Sequence, residues 1–213
     1  GVLLMRLRPP LLLLAGGTLA AAVIAAPGVA SAAPAAAKGP TVKVLNRTVI
    51  APYHLAHSNS SVYVADGGTS TVSKLTSKGL VAVAHGPQGG EVAGVAINGK
   101  GTLAYTASDF AANLHVLTIK PKNGKTRTVD LGAFEQTHNP DKWIRYGIDN
   151  PTQCQRDALD AVGFPVSYRG VADSHPYAVS ALPNDAWVVA DAGGNDLLKV
   201  DKNGRISVIS VLP

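Results

Sequence analysis

Cysteine is almost missing from this chain: Cys154 is the only one in 213 residues. It stands as a free thiol or as half of a pair whose other member lies elsewhere, and no paired Cys/His spacing for zinc exists. No local Cys/His signature surrounds it, so a thiol nucleophile is not indicated. Basic clusters are absent too, because Lys and Arg stand singly along turns, which argues against a nucleic-acid footprint. The +5 formal charge falls by two once Arg6 and Arg8 are set aside. There is no serine elbow and no phosphate-cradling glycine loop. Gly86-Pro87-Gln88-Gly89-Gly90 is glycine-rich, but no helical pattern follows it, so it reads as a connector.

The one long apolar run lies at the start. Arg6 and Arg8 precede apolar residues from Leu11 to Ala26, and Ala30, Ser31 and Ala32 supply the small residues a signal peptidase needs. Residues 1–32 therefore read as a secretory signal peptide cleaved near Ala32, which predicts a secreted, extracellular protein. A membrane span is the alternative, weakened by Gly16, Gly17, Thr18 and Pro27. Residues 33–42 form an Ala/Pro linker, and the folded part is expected over 43–213. Asn46-Arg47-Thr48 and Asn59-Ser60-Ser61 match glycosylation sequons, a pattern short enough to arise by chance.

Self-similarity carries the fold assignment. Residues 62–84 (VYVADGGTSTVSKLTSKGLVAVA) align without a gap on residues 187–209 (WVVADAGGNDLLKVDKNGRISVI). Val64, Ala65, Asp66, Gly68, Lys74, Gly79 and Val83 meet Val189, Ala190, Asp191, Gly193, Lys199, Gly204 and Val208. Pro52-Tyr53 meets Pro176-Tyr177 one residue out of step. A weaker middle copy sets Leu103–Ser108 in the place of the Val-Ala-Asp strand and Gly124 in that of Gly79 and Gly204. Each copy divides into four short alternating runs separated by turn residues, as propeller blades do. Blades are expected over 48–86, 92–131 and 175–213, with an insertion over 133–172 that includes a short helix near Gln155–Ala161. In the last copy, Pro183-Asn184-Asp185 and Asn203-Gly204 supply hairpin turns, and both residues of the Asn-Gly pair are expected at positive φ. Asp66 and Asp191 are expected to accept hydrogen bonds from turn N–H groups, a structural duty shared with Gly68, Gly193 and Asn195.

Those copies resemble NHL and SMP-30-like blades. Asn139-Pro140-Asp141, Tyr146-Gly147, Cys154, Asp173-Ser174-His175-Pro176-Tyr177 and the run from Val188 to Gly204 further resemble the ScyD/ScyE family of secreted bacterial proteins. The resemblance implies an all-β propeller, six-bladed in full-length relatives, of which about three blades are present here. It brings no defined chemistry. It also implies further blades and a second cysteine beyond this length, so that a homodimer would be one way to complete the ring.

Because six-bladed relatives hold a metal in the central channel, Glu91, Asp109 and Asp173 are candidate calcium ligands. His54, His175 and Asp173 are the candidate catalytic groups. Calcium is the one cofactor the resemblance admits. Three readings follow: a binding or scaffold module for a small molecule, glycan or protein; a calcium-dependent lactonase- or esterase-like hydrolase; or a truncated fragment without function. None needs nucleic acid, or a membrane after signal cleavage.

Overall fold

The computed structural model describes Gly39 and residues 41–59 and 61–213. The signal-peptide assignment, and most of the linker, lie outside the described residues. Twelve of the strands form three four-stranded antiparallel sheets, each running in simple sequence order. The first holds β1 (Pro52–Ser58), β2 (Ser61–Asp66), β3 (Thr71–Thr76) and β4 (Gly79–His85). The second holds β5 (Glu91–Ile97), β6 (Leu103–Asp109), β7 (Leu114–Lys120) and β8 (Arg127–Asp130).

A helix, α1 (Leu131–His138), follows β8 directly. The insertion then contributes β9 (Arg145–Gly147), paired with β10 (Ser167–Arg169), and α2 (Gln153–Asp160) between them. The third sheet holds β11 (Pro176–Leu182), β12 (Ala186–Asp191), β13 (Asp196–Val200) and β14 (Ile206–Val211).

The second sheet lies between the other two, with β5 against both β1 and β11. Period-two alternation explains how one sheet serves two neighbours. In β6 and β7, Tyr105, Ala107 and Val116, with Val92 and Val95 of β5, turn toward the first sheet, where Ala65 and Val72 meet them. Ala104, Leu117 and Ile119 turn the other way, onto Val179, Trp187, Val189, Leu198 and Val200. Burial on both faces is why six of the seven β6 residues are inaccessible to solvent, whereas β14 is largely exposed. Burying a side chain such as Leu117 or Leu198 completely contributes about 1.5–3 kcal/mol. Face-to-face sheets, each innermost at its first strand, are propeller blades. The chain is an all-β protein containing three blades of a propeller.

Turn chemistry recurs with the blades. Gly79, Gly124 and Gly204 all take positive φ (102°, 124° and 87°) in the last hairpin of their sheets, where a side chain would be strained. Asn203 departs from the expectation, since only Gly204 of that pair crosses to positive φ. The cause is Asp201, whose Oδ1 accepts from the N–H groups of both Asn203 and Arg205 at 2.8 Å and shapes the turn without Asn203 crossing over. Asn184 and Asp185 instead take the positive φ values (62° and 58°) in the first hairpin of that blade.

Candidate functional site

The blade aspartates determine what stands at the entrance of the inner strands. Asp66 accepts from Ile50 N, Ala51 N and Gly68 N at 3.0, 2.8 and 3.1 Å. Burial opposes its charge, but those N–H groups outweigh it and hold the carboxyl below its ordinary range. Asp191 repeats the arrangement, accepting from His175 N at 2.6 Å, Gly193 N at 3.0 Å and Gly194 N at 3.2 Å, with Ser174 Oγ donating at 2.6 Å. His175 thus occupies the socket that Ala51 fills in the first blade.

Asp109 is the middle member of this series. Its Oδ1 accepts from Ala111 N at 3.0 Å and Ala112 N at 3.1 Å, and Asn113 four residues on takes φ 50°, as do Ser70 and Asn195 in the flanking blades. The middle copy therefore counts its strand through Asp109 rather than ending it at Ser108. One oxygen of this candidate calcium ligand thus serves its own turn.

From its socket, the His175 ring reaches across to the second blade, where its Nε2 pairs with Glu91 Oε1. Aromatic rings surround the pair. Phe110 meets His175 edge-on at 5.0 Å between centroids, Tyr177 does so at 5.2 Å, and Tyr53 lies 5.3 Å from Tyr177. Burial, then Tyr53 and Glu91, raises the Tyr177 phenol above its ordinary value. Phe110, Tyr53 and Tyr177 remain 59%, 43% and 40% exposed, an unusual density of accessible rings in a chain with 5% aromatics. Beneath them, a cleft of about 550 Å³ follows β1, β5 and β11 and opens along the outward side of the third sheet at Val188, Ala190 and Leu197. His54 lines this cleft and uses Nδ1 to accept from Val95 N at 3.1 Å, which leaves Nε2 as the protonated nitrogen of the neutral ring.

The candidate residues are thus only partly brought together. Glu91 and His175 meet; His54 serves the β1–β5 contact; Asp173 accepts from Ser174 N at 2.9 Å. Glu91, Asp109 and Asp173 do not converge, and among the described residues no three His, Cys, Asp or Glu side chains form a ready metal shell. Cys154 is exposed on α2 with a free thiol.

A second polar region was not singled out by sequence. Beneath α1, Glu135, Asp141, Asp191 and Asp196 are all at least 98% buried. Asp141 Oδ2 accepts from Asn195 Nδ2 at 3.0 Å. Both oxygens of Glu135, both of Asp196, Asp141 Oδ1 and Asn139 Oδ1 have no hydrogen-bond partner. Burial, then the charges of Asp196, Asp191, Asp141 and Asp173, push Glu135 up to about 8. Burial, then Asp191 and Asp141, push Asp196 up to about 7.

No protein-family model matches the chain, and no curated protein does. Solved structures with partial likeness include selenomethionine-substituted virginiamycin B lyase from Staphylococcus aureus, at 10% identity and TM-score 0.45, covering 75% of this chain and 41% of that one. A protein of unknown function from Bacteroides caccae aligns at 8% identity and TM-score 0.44, over 75% of this chain and 46% of its own. A streptogramin B lyase aligns at 18% identity and TM-score 0.37, over 79% and 58%. The chain spans about half the length of these proteins.

Proposed function

We propose that this chain is a binding module of the secreted ScyD/ScyE type, which takes a small planar ligand at the Glu91–His175 pair. The observation that carries this reading is the ring of exposed aromatics around one paired carboxylate and imidazole. Rings supply broad apolar contact, while a few convergent polar groups set orientation. The apolar walls of the cleft below would exclude water from whatever enters. The extracellular setting rests on the N-terminal pattern of basic, apolar and small residues.

A second reading, acid–base chemistry of the hydrolase type, is favoured by the same pair. Glu91 can fix the ring by accepting from Nε2, which leaves Nδ1 of His175 to exchange a proton with a bound molecule. Calcium is not needed for that step.

One compound and its ester separate the two readings. Titrating the full chain with p-nitrophenol should give a saturable change in its absorbance, weakened at least tenfold in Phe110→Ala and His175→Gln. A non-saturable signal, or equal affinity in both variants, would refute the binding site. Hydrolysis of p-nitrophenyl acetate that depends on His175, with a rate rising through the imidazole range, would establish the second reading. Binding without turnover would leave the first.

A further inference from the structure

The carboxylates beneath α1 pose a problem that no side chain among them solves. A buried carboxylate without a donor or counter-charge is one of the costliest groups a fold can hold. Here two of them, Glu135 on α1 and Asp196 at the start of β13, have all four oxygens buried and unpartnered. Asp191 differs, because its oxygens are taken up by backbone and serine donors. No basic group stands in for a counter-ion: the ion pairs among the described residues are Lys100–Asp185 and His175–Glu91, and neither includes this cluster.

The orphaned atoms share one chemistry. They are oxygens from carboxylates and from the Asn139 amide, and no thiolate or imidazole accompanies them. Hard divalent cations favour such donors, and calcium tolerates irregular geometry and mixes charged with neutral oxygens. The surroundings are built closely: a Cβ on Gly194 would stand 3.1 Å from Glu135 Oε2, and backbone passes Asp141 so tightly that Gly170 has no room for one. With no three acidic side chains gathered into a shell, two carboxylates must be the charged core and neutral oxygens the remainder.

We propose that Glu135 and Asp196, supplemented by neutral oxygens including the Asn139 amide oxygen, bind a hard divalent cation of the calcium class. This site is separate from the Glu91–His175 pair and does not involve Glu91, Asp109 or Asp173 as ligands. It joins α1 to the third blade through charge, because its two principal donors lie on those two elements. It also borders Asp191, the carboxylate that carries the backbone of His175.

The test uses the full chain, freed of metal by chelator and dialysis, at pH 7.5. Calcium chloride at about a hundred times its dissociation constant should raise the melting temperature by roughly 5–10 °C, while sodium chloride of equal ionic strength does not. Terbium should show sensitised emission that calcium displaces. In Glu135→Gln and Asp196→Asn, which keep side-chain shape, terbium emission should fall more than tenfold and the calcium shift should vanish. Asp109→Asn should retain both. Absence of any calcium or terbium response in the unaltered chain would overturn the proposal and leave protons as the neutralising species. An undiminished response in both folded variants would overturn it equally. Should a variant fail to fold, calcium displacement of terbium from the unaltered chain, with the Asp109→Asn control, still decides.

Discussion

Asp191 makes the case for reading single residues by what they hold. It is 2% exposed and accepts from three backbone N–H groups and one hydroxyl, so its removal strands four donors at once. Charge-assisted hydrogen bonds are individually worth about 1.5–3 kcal/mol, and losses within one network do not add. Asp191→Ala should therefore cost about 3 kcal/mol in urea unfolding, and it should release His175 from Glu91, weakening p-nitrophenol binding as much as His175→Gln does. Asp191 has the two effects because it supports the blade and the ring in the same contact. If stability fell and binding did not, the socket would not be what positions the imidazole.

At the scale of elements, the contact between α1 and the third blade should respond to pH. In the cation-free chain, Glu135 and Asp196 are held well above their ordinary values by burial and by Asp141, Asp191 and Asp173, with the Tyr146 phenol as the other titratable group nearby. A carboxyl raised in the folded state binds protons there before it does when unfolded, so its stabilising contribution is present at low pH and disappears as pH climbs through the folded value. Urea midpoints should consequently rise as pH is lowered from about 8.5 to about 5.5, by an amount equivalent to roughly 3 kcal/mol. A flat profile would mean that the cluster is solvated or neutralised otherwise.

These elements were unequally legible. Blade strands and their glycine turns could be read because each repeats locally, and repetition makes a weak pattern visible. The insertion helix α2 carried its own cue, a Thr152 cap with Gln155 reciprocating. Helix α1 is hard to read locally, although Asp130 caps it and Asn139-Pro140 ends it, because an eight-residue helix directly after a strand offers little periodicity. The middle copy is read one residue short when its strand ends at Ser108; the spacing from Asp109 to Asn113, matching Asp191 to Asn195, holds the register. The cluster beneath α1 has only scattered signals, Asn139-Pro140-Asp141 and Asp191, and nothing local that joins them to Glu135 and Asp196. Its members lie between positions 135 and 196, and only the fold brings them together.

Among the described residues, two sheet faces have no sheet against them. On the outer side of the first blade, Leu45, Leu55, Val62, Leu75 and Leu80 line an apolar groove, with Leu55 63% exposed. On the third blade, Val208 and Ile209 are 41% and 52% exposed. Apolar faces of this kind favour association. Two copies joined through them would bring six blades into one ring. Light scattering on the full chain should accordingly give twice the chain mass, with Leu55→Glu and Ile209→Glu shifting it toward the single-chain value. A monomer at every concentration would show that the faces stay uncovered by a second copy.

Asp66 grips the N–H of Ala51 as Asp191 grips that of His175, so the grip does not depend on what side chain hangs from the held residue. Repeating a blade thus repeats a mounting point together with its supports, and an alanine and a histidine occupy that one position in two copies of the same frame.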